Sequence, residues 1–300
     1  MKKTADATLL FVVFIWGVTF VMVQNAISFL EPFSFNAIRF FIAFLFLLVP
    51  YFLTLHKKGN RYHKETMLAG LHIGVWLFLG YAFQTKGLEL TTPAKTGFIT
   101  GLSVVMVPVF SLVLLKLKLS RNMVLGVVAA TFGLYLMAFV DHSSVNVGDF
   151  LVFLCAISFA MQIITTAKYA KTLPALPLTL IQIGTVSLLS FLSALIFGEN
   201  YSVVFKAEVM LQTEVWTALL VTSVMATSFA FFVQTYFQAY TTPTRVALIF
   251  SMEPVFAALT SYIWIDEKLT VASLTGCGFI FAGMILAELP QRKSIPREVT

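Results

Sequence analysis

Charged residues are scarce in this chain of 300: 14 acidic and 20 basic side chains, 11% of the total, where a soluble domain carries about 25%. So few charges cannot cover a water-exposed surface, which excludes a soluble enzyme, a nucleic-acid-binding protein and a disordered chain. Cysteine is rarer still. Cys155 and Cys277 both lie inside apolar runs, so there is neither a disulfide framework nor a metal-ligand spacing. Also missing are the Gly-x-x-x-x-Gly-Lys-Ser/Thr loop that cradles nucleoside triphosphates, the His-Glu-x-x-His pair that holds zinc, and any Ser/His pair in a strand–turn–helix setting. Neither end carries a lipid-attachment signal. These absences leave no expectation of catalysis, of a cofactor or metal, or of nucleic acid as a partner.

What abounds is apolar. Hydrophobic residues make up 59% of the chain, among them 31 Phe, and the mean hydropathy is +0.90. A bilayer core of about 30 Å is crossed by ~20 apolar residues in helical form. Ten segments qualify: 8–28, 33–55, 66–87, 93–115, 122–140, 148–168, 176–197, 215–237, 243–265 and 271–289. The predicted fold is an all-α membrane protein of ten transmembrane helices, with the lipid bilayer as its surroundings. Connections are short and polar, 198–214 being the longest, and none could hold a soluble domain. Lys2 and Lys3 before an apolar run resemble the start of a secretory signal. That run is as long as a full span and lacks a small-x-small cleavage site, so it reads as an uncleaved first helix.

Basic residues set the orientation, because Lys and Arg concentrate in cytoplasmic loops. With the N-terminus in the cytoplasm, Lys2, Lys3, Lys57, Lys58, Arg61, Lys64, Lys116, Lys118, Arg121, Lys168, Lys171, Arg245, Arg292, Lys293 and Arg297 fall inside. Lys86, Lys95, Lys206 and Lys268 fall outside, where the acids Glu31, Glu89, Asp141, Asp149, Glu199, Glu208, Glu214, Asp266 and Glu267 also gather. An even number of crossings puts both termini in the cytoplasm. The net charge of +6 follows from the same bias and needs no acidic partner.

The chain also repeats itself. Gln84, Thr85, Thr91, Thr92, Pro93 and Lys95 recur as Gln234, Thr235, Thr241, Thr242, Pro243 and Arg245, and Gly126 and Gly133 recur as Gly276 and Gly283, all 150 residues on. Met106, Pro108 and Phe110 answer Met252, Pro254 and Phe256 at an offset of 146. A slip of four residues is about one helical turn and keeps the same face. The pattern predicts a five-helix unit written twice, over 1–141 and 142–300. Five is odd, so the second unit enters the membrane from the opposite side. Inverted repeats of this kind place a substrate site near the midplane between the halves. Two equivalent halves also supply inward-open and outward-open states of similar energy, so that alternating access is an exchange between them.

The pair Trp16-Gly17, the run Met252-Glu253-Pro254-Val255-Phe256, the acidic Asp266-Glu267 after it, and Gly276 to Gly283 in the last segment resemble the EamA family of the drug/metabolite transporter superfamily over nearly the whole chain. The resemblance implies a ten-helix carrier of the bacterial inner membrane, often an exporter of amino acids or related metabolites. The halves depart from each other: Val107 stands where the second half has Glu253, and Cys155-Ala156 where the first has Trp16-Gly17. The expected function is secondary active or facilitative export of small polar metabolites, amino acids or their relatives, by alternating access. Alternatives are a carrier of nucleotide-sugars, phosphorylated metabolites or cationic drugs on the same architecture, or a non-transporting scaffold. Phosphate recognition wants paired Lys and Arg, and only Arg39, Lys95 and Arg245 are at hand. Proton coupling and a homodimer stay open.

Polar side chains at membrane depth are costly and are therefore the candidate site residues. Glu253 lies well inside the ninth segment and precedes Pro254. It reads equally as a carboxylate that takes a proton or an ammonium group and as a carboxyl tied to backbone freed by the proline. Thr227, Phe231, Gln234 and Gln238 share one helical face, and Tyr81 and Gln84 form a polar strip beside a face of His72, Trp76 and Phe83. Gln84 and Gln234 are repeat equivalents. Two amides facing one cavity suit a zwitterion, and the alternative is interhelical hydrogen bonding worth ~1 kcal/mol or less per bond. Trp16 is too deep for an interfacial belt and reads as a cavity wall, with lipid-facing packing as the alternative, and Gln162 is a further polar candidate in the sixth segment. Most Phe are expected to face lipid and to form no aromatic box, and His72 to be a packed histidine. Arg39 is expected to snorkel to the outer interface in a structural role. Thr92-Pro93 and Thr242-Pro243 read as helix starts, which puts Lys95 and Arg245 in first turns where the helix dipole disfavours cations. Gating, attraction of an anionic solute and interface anchoring are the options for that pair. Gly70-x-x-x-Gly74 and Gly97-x-x-x-Gly101 suit close helix packing.

Overall fold

A computed structural model describes residues 2–58, 64–91, 93–138, 146–264 and 270–289. Every predicted segment falls on helix, with no strand among the described residues. The order is α1 (Lys2–Ala26), α2 (Pro32–Lys58), α3 (Lys64–Leu90), α4 (Pro93–Gly101), α5 (Ser103–Leu114), α6 (Arg121–Ala138), α7 (Val147–Tyr169) and α8 (Ala175–Ile196). The 198–214 connection carries a 3-10 turn and the one-turn α9 (Ala207–Met210). Then come α10 (Thr213–Ser223), a π-helical stretch (Val224–Phe229), α11 (Ala230–Gln238), α12 (Pro243–Phe250), α13 (Glu253–Trp264) and α14 (Val271–Glu288). Eight helical runs among the described residues are long and apolar enough to cross a membrane, and Arg121–Met137 and Val271–Ala287 are shorter apolar helices. The loop positions Arg61, Thr92, Asp141, Asp266, Glu267, Lys268, Arg292, Lys293 and Arg297 lie outside the described residues.

Local chemistry starts these helices. Pro32, Pro93 and Pro243 each occupy a first helical position, where the missing N–H costs nothing. Asn146 and Asp149 form a reciprocal capping box at the start of α7. The start of α2 is capped from a distance. The Glu199 carboxylate accepts from the backbone N–H of Phe33 (3.0 Å) and Ser34 (2.7 Å) and from the Ser34 hydroxyl (2.7 Å).

The bundle exposes large apolar side chains and buries polar ones within a largely apolar core, unlike a soluble protein. Phe41, Phe52, Val113, Leu125, Ile196 and Ile263 are exposed, while Asn36, Arg39, Gln162, Gln182, Gln234 and Gln238 are buried. Only a hydrocarbon surround makes that arrangement stable. Helix α3 packs on α7 and α8, α2 on α8, α1 on α13, and α6 on α14. The last pair meets backbone to backbone. A Cβ on Gly126 would lie 2.5 Å from the carbonyl oxygen of Gly283, and one on Gly133 would lie 2.5 Å from that of Gly276. Gly70 and Gly74 are likewise used inside the chain, against Ile181 and Thr185 of α8.

Candidate functional site

Two of the membrane-length runs are broken near their middles. Helix α4 stops at Gly101 and α5 begins at Ser103, while α12 stops at Phe250 and α13 begins at Glu253. Helix α1 comes close to the second break because Gly17 has no side chain: a Cβ there would meet the Phe256 Cβ at 2.5 Å and the Glu253 carbonyl oxygen at 3.0 Å. The break changes the reading of Glu253. It opens a helix instead of sitting mid-helix, and Pro254 occupies a first turn where it removes no helical bond. The Glu253 carboxylate is not tied to freed backbone. It makes no hydrogen bond to any described residue and lines a cavity.

The cavity encloses about 840 Å³ of atom-free space, its open mouth included. Its walls come from Trp16, Thr19, Phe20 and Val23 of α1, Arg39 of α2, and Tyr81, Gln84, Thr85 and Leu88 of α3. The rest are Thr100, Gly101 and Ser103 at the first break, Phe159, Gln162 and Ile163 of α7, Phe231 and Gln234 of α11, and Phe250 and Glu253 at the second break. Among the predicted residues, Trp16, Tyr81, Gln84, Gln162, Gln234 and Glu253 are brought together here.

Arg39 also belongs to this wall and does not snorkel outward. It is 4% exposed. Its Nε donates to the Thr227 hydroxyl at 2.9 Å, its Nη2 reaches the Tyr81 hydroxyl at 3.5 Å, and the guanidinium lies 4.9 Å from the Tyr81 ring centre. Nη1 makes no hydrogen bond to a described residue. The cavity thus has one cation and one carboxylate in its lining. Thr227 and Gln238, predicted as lining, stand behind it: Thr227 holds Arg39, and Gln238 donates to the Ile163 carbonyl while accepting from Gln234 at 3.4 Å. Gln234 also donates to Gln162 at 3.0 Å, and its own Oε1 is buried without a partner. Gln84 donates to Thr100 at 3.4 Å.

The π-helical stretch positions two further wall residues. Such widened turns displace the i→i−4 ladder and recur at functional sites. The Trp16 indole N–H donates to the carbonyl of Ala226 at 2.8 Å, and Thr227 of the same stretch receives Arg39. Trp16 packs edge-on against Phe250 at 5.0 Å and lies 5.5 Å from Phe231. The expectation that the Phe are lipid-facing bulk and form no aromatic box therefore needs correction in its second part. Many do face lipid, but Phe20, Phe159, Phe231 and Phe250 build an aromatic box with Trp16 and Tyr81. Their spacing is that of ordinary apolar helix, so no periodicity separates them from lipid-facing Phe. Thr100 and Ser103, small polar residues in an apolar run, were a usable signal not taken up. His72 is on the exposed side of α3 near Tyr169 and plays no part in the cavity.

Lys95 and Arg245 are remote from the cavity wall, and each is paired. Lys95 Nζ lies 3.2 Å from Asp149 Oδ2, and Arg245 Nη2 lies 2.6 Å from Asp6 Oδ2. The carboxylates offset the unfavourable dipole of the first turns that carry these cations. Asp6 had not been singled out in the sequence, and Asp149 had been read as a loop acid.

A helical membrane bundle with broken helices around an internal polar cavity is the architecture of a membrane transporter. The EamA-like transporter family model matches residues 3–139 and 146–289, and the chain belongs to that family. A protein of Archaeoglobus fulgidus described as an uncharacterized transporter is 34% identical over 95% of this chain and 86% of its own length. The uncharacterized transporter YoaV of Bacillus subtilis is 25% identical over 92% of this chain and 93% of its own. A solved structure bearing only the description "Crystal structure of protein" superposes with a TM-score of 0.75 at 16% identity, covering 95% of this chain and 96% of that one, and so shares the fold.

Proposed function

We propose that this transporter is built of two five-helix repeats, 1–141 and 142–300, inserted in opposite senses. It exports small zwitterionic metabolites, amino acids or their relatives, across the bacterial inner membrane by alternating access, with both termini cytoplasmic. The observation that carries the substrate reading is the pairing of Arg39 and Glu253 in the lining of one aromatic-walled cavity. A guanidinium with free N–H groups suits a carboxylate, an unpartnered carboxylate suits an ammonium, and the ring faces suit an apolar side chain and a cation alike.

Three observations support the repeat. The α6–α14 contact is crossed: Gly126 meets Gly283 and Gly133 meets Gly276, the pattern that a two-fold axis between equivalent helices produces. Asn36 donates to Thr85 at 2.9 Å and Gln182 donates to Thr235 at 3.0 Å, the same amide-to-threonine bond once in each half. The family model also matches on either side of residue 142. Phosphorylated substrates are disfavoured because Lys95 and Arg245 are engaged with carboxylates away from the cavity. The test is counterflow in proteoliposomes loaded with unlabelled amino acids, with and without a pH gradient. Uptake of labelled amino acid is the expected result. Counterflow of a labelled organic monocation alone, with every amino acid inert, would replace the zwitterion by the cationic-drug reading.

A further inference from the structure

The two ion pairs are counterparts. Lys95 and Arg245 are 150 residues apart and open α4 and α12. Their partners Asp149 and Asp6 lie near the starts of α7 and α1. In the proposed repeat these are the fourth and first helices of each half. Each bond therefore joins the fourth helix of one half to the first helix of the other. Consecutive spans joined by short connections alternate in direction, so the pairs lie at opposite ends of the bundle. Arg245–Asp6 is at the end where α1 begins, and Lys95–Asp149 is where α3 ends.

The linked helices are among those that line the cavity. Trp16 and Thr19 are on α1, Thr100 is on α4, Gln162 is on α7 and Phe250 is on α12. Separating α4 from α7 at one end, or α12 from α1 at the other, opens a path from that end to the cavity. Both pairs are largely shielded, with side chains 11% and 8% exposed for Lys95–Asp149 and 22% and 11% for Arg245–Asp6. Breaking a shielded pair strands two charges unless water reaches them, so each bond opposes the separation of its two helices, and both are intact in this structure. The Asp149 end is reinforced, since its carboxylate also accepts from Thr91 Oγ1 at 2.6 Å and from the Asn146 backbone N–H at 3.0 Å.

We propose that Lys95–Asp149 and Arg245–Asp6 are a matched pair of gates, each latching one end of the bundle between the two halves and released in turn as the other holds. This rests on the alternating-access reading, and its test is independent of any substrate. The native cysteines are removed (Cys155→Ala, Cys277→Ala) and a single reporter, Thr100→Cys, is placed in the cavity wall. Labelling by a membrane-impermeant maleimide is then timed from each face, in right-side-out and inverted vesicles. Asp149→Asn or Lys95→Gln should speed labelling at least several-fold from the α3–α4 loop side and slow it from the N-terminal side. Asp6→Asn or Arg245→Gln should do the reverse. The exchanged pair Arg245→Asp with Asp6→Arg should restore the parent rates, while Lys95→Asp with Asp149→Lys should restore them in part, because the Asp149 carboxylate also caps α7 and accepts from Thr91. Size-exclusion profiles in detergent exclude variants that do not fold, and the exchanged pairs keep the test decisive where a single variant is lost. Shifts of both single-variant sets in the same direction, no shift, or exchanged pairs that behave like the single variants would overturn the gates. A shift of opposite sign at the two ends upholds them even if proteoliposomes move no amino acid, in which case the substrate reading alone fails.

Discussion

Arg39 is held by the Thr227 hydroxyl and by both the hydroxyl and the face of Tyr81. Lysine would keep the charge but could supply neither the planar stack nor the Nε bond. Arg39→Lys is therefore expected to weaken amino-acid competition in counterflow at least tenfold, about 1.4 kcal/mol. Thr227→Ala, which removes only the holding bond, should cost less. Glu253→Gln should abolish transport while leaving insertion and detergent stability intact; parental flux with unchanged pH dependence in the same vesicles would remove Glu253 from the mechanism. At this scale the sequence was informative where a polar group stood alone in an apolar run, as with Glu253, Gln84, Gln162 and Gln234. It was uninformative where the partner came from a distant helix. Arg39 read as snorkelling because its depth along α2 was legible and its contacts with α3 and the π-helical stretch were not. The Phe box was hidden for a related reason: facing the cavity or facing lipid leaves the same mark on an apolar helix.

Helix positions were readable to within a few residues, since hydropathy measures how much chain sits in hydrocarbon. Continuity within a span was not readable. The interruptions after Gly101 and Phe250 and the π-helical stretch at Val224–Phe229 depend on tertiary contacts that fill the gaps, such as the Trp16 indole at Ala226. Trp16→Phe keeps the ring and leaves that carbonyl without its donor, at a cost of ~1 kcal/mol or more, and should lower the melting temperature in detergent. The glycines of α6 and α14 make a firmer test. With the Gly276 carbonyl oxygen 2.5 Å from where a Cβ would stand on Gly133, Gly133→Val forces the helices apart. Overpacking of this kind costs about 1–3 kcal/mol, to be read as a lower melting temperature. Gly278, with nothing within 4 Å of its would-be Cβ, should accept alanine without loss.

For the molecule as a whole, the apolar exterior and the polar groups held inside point to a hydrocarbon environment, and the charge distribution over the loops carries the proposed orientation. Impermeant proteases or biotinylation reagents applied to intact cells should spare tags at both ends; tags found on opposite faces would end the two-repeat scheme. The proposed repeat rests in the sequence on register-locked Gln, Thr and Gly residues 150 positions apart. The ion pairs Lys95–Asp149 and Arg245–Asp6 were not legible, because each joins residues of helices far apart in the chain. The bare contact of α6 with α14 has one more consequence. Where glycines bring main-chain atoms this close, with Ile280 and Met137 packed beside them, the two helices have little room to slide. In the proposed alternating-access cycle they would serve as a fixed axle: a covalent staple across α6 and α14 should leave turnover undiminished, while one across α4 and α7 should stall it.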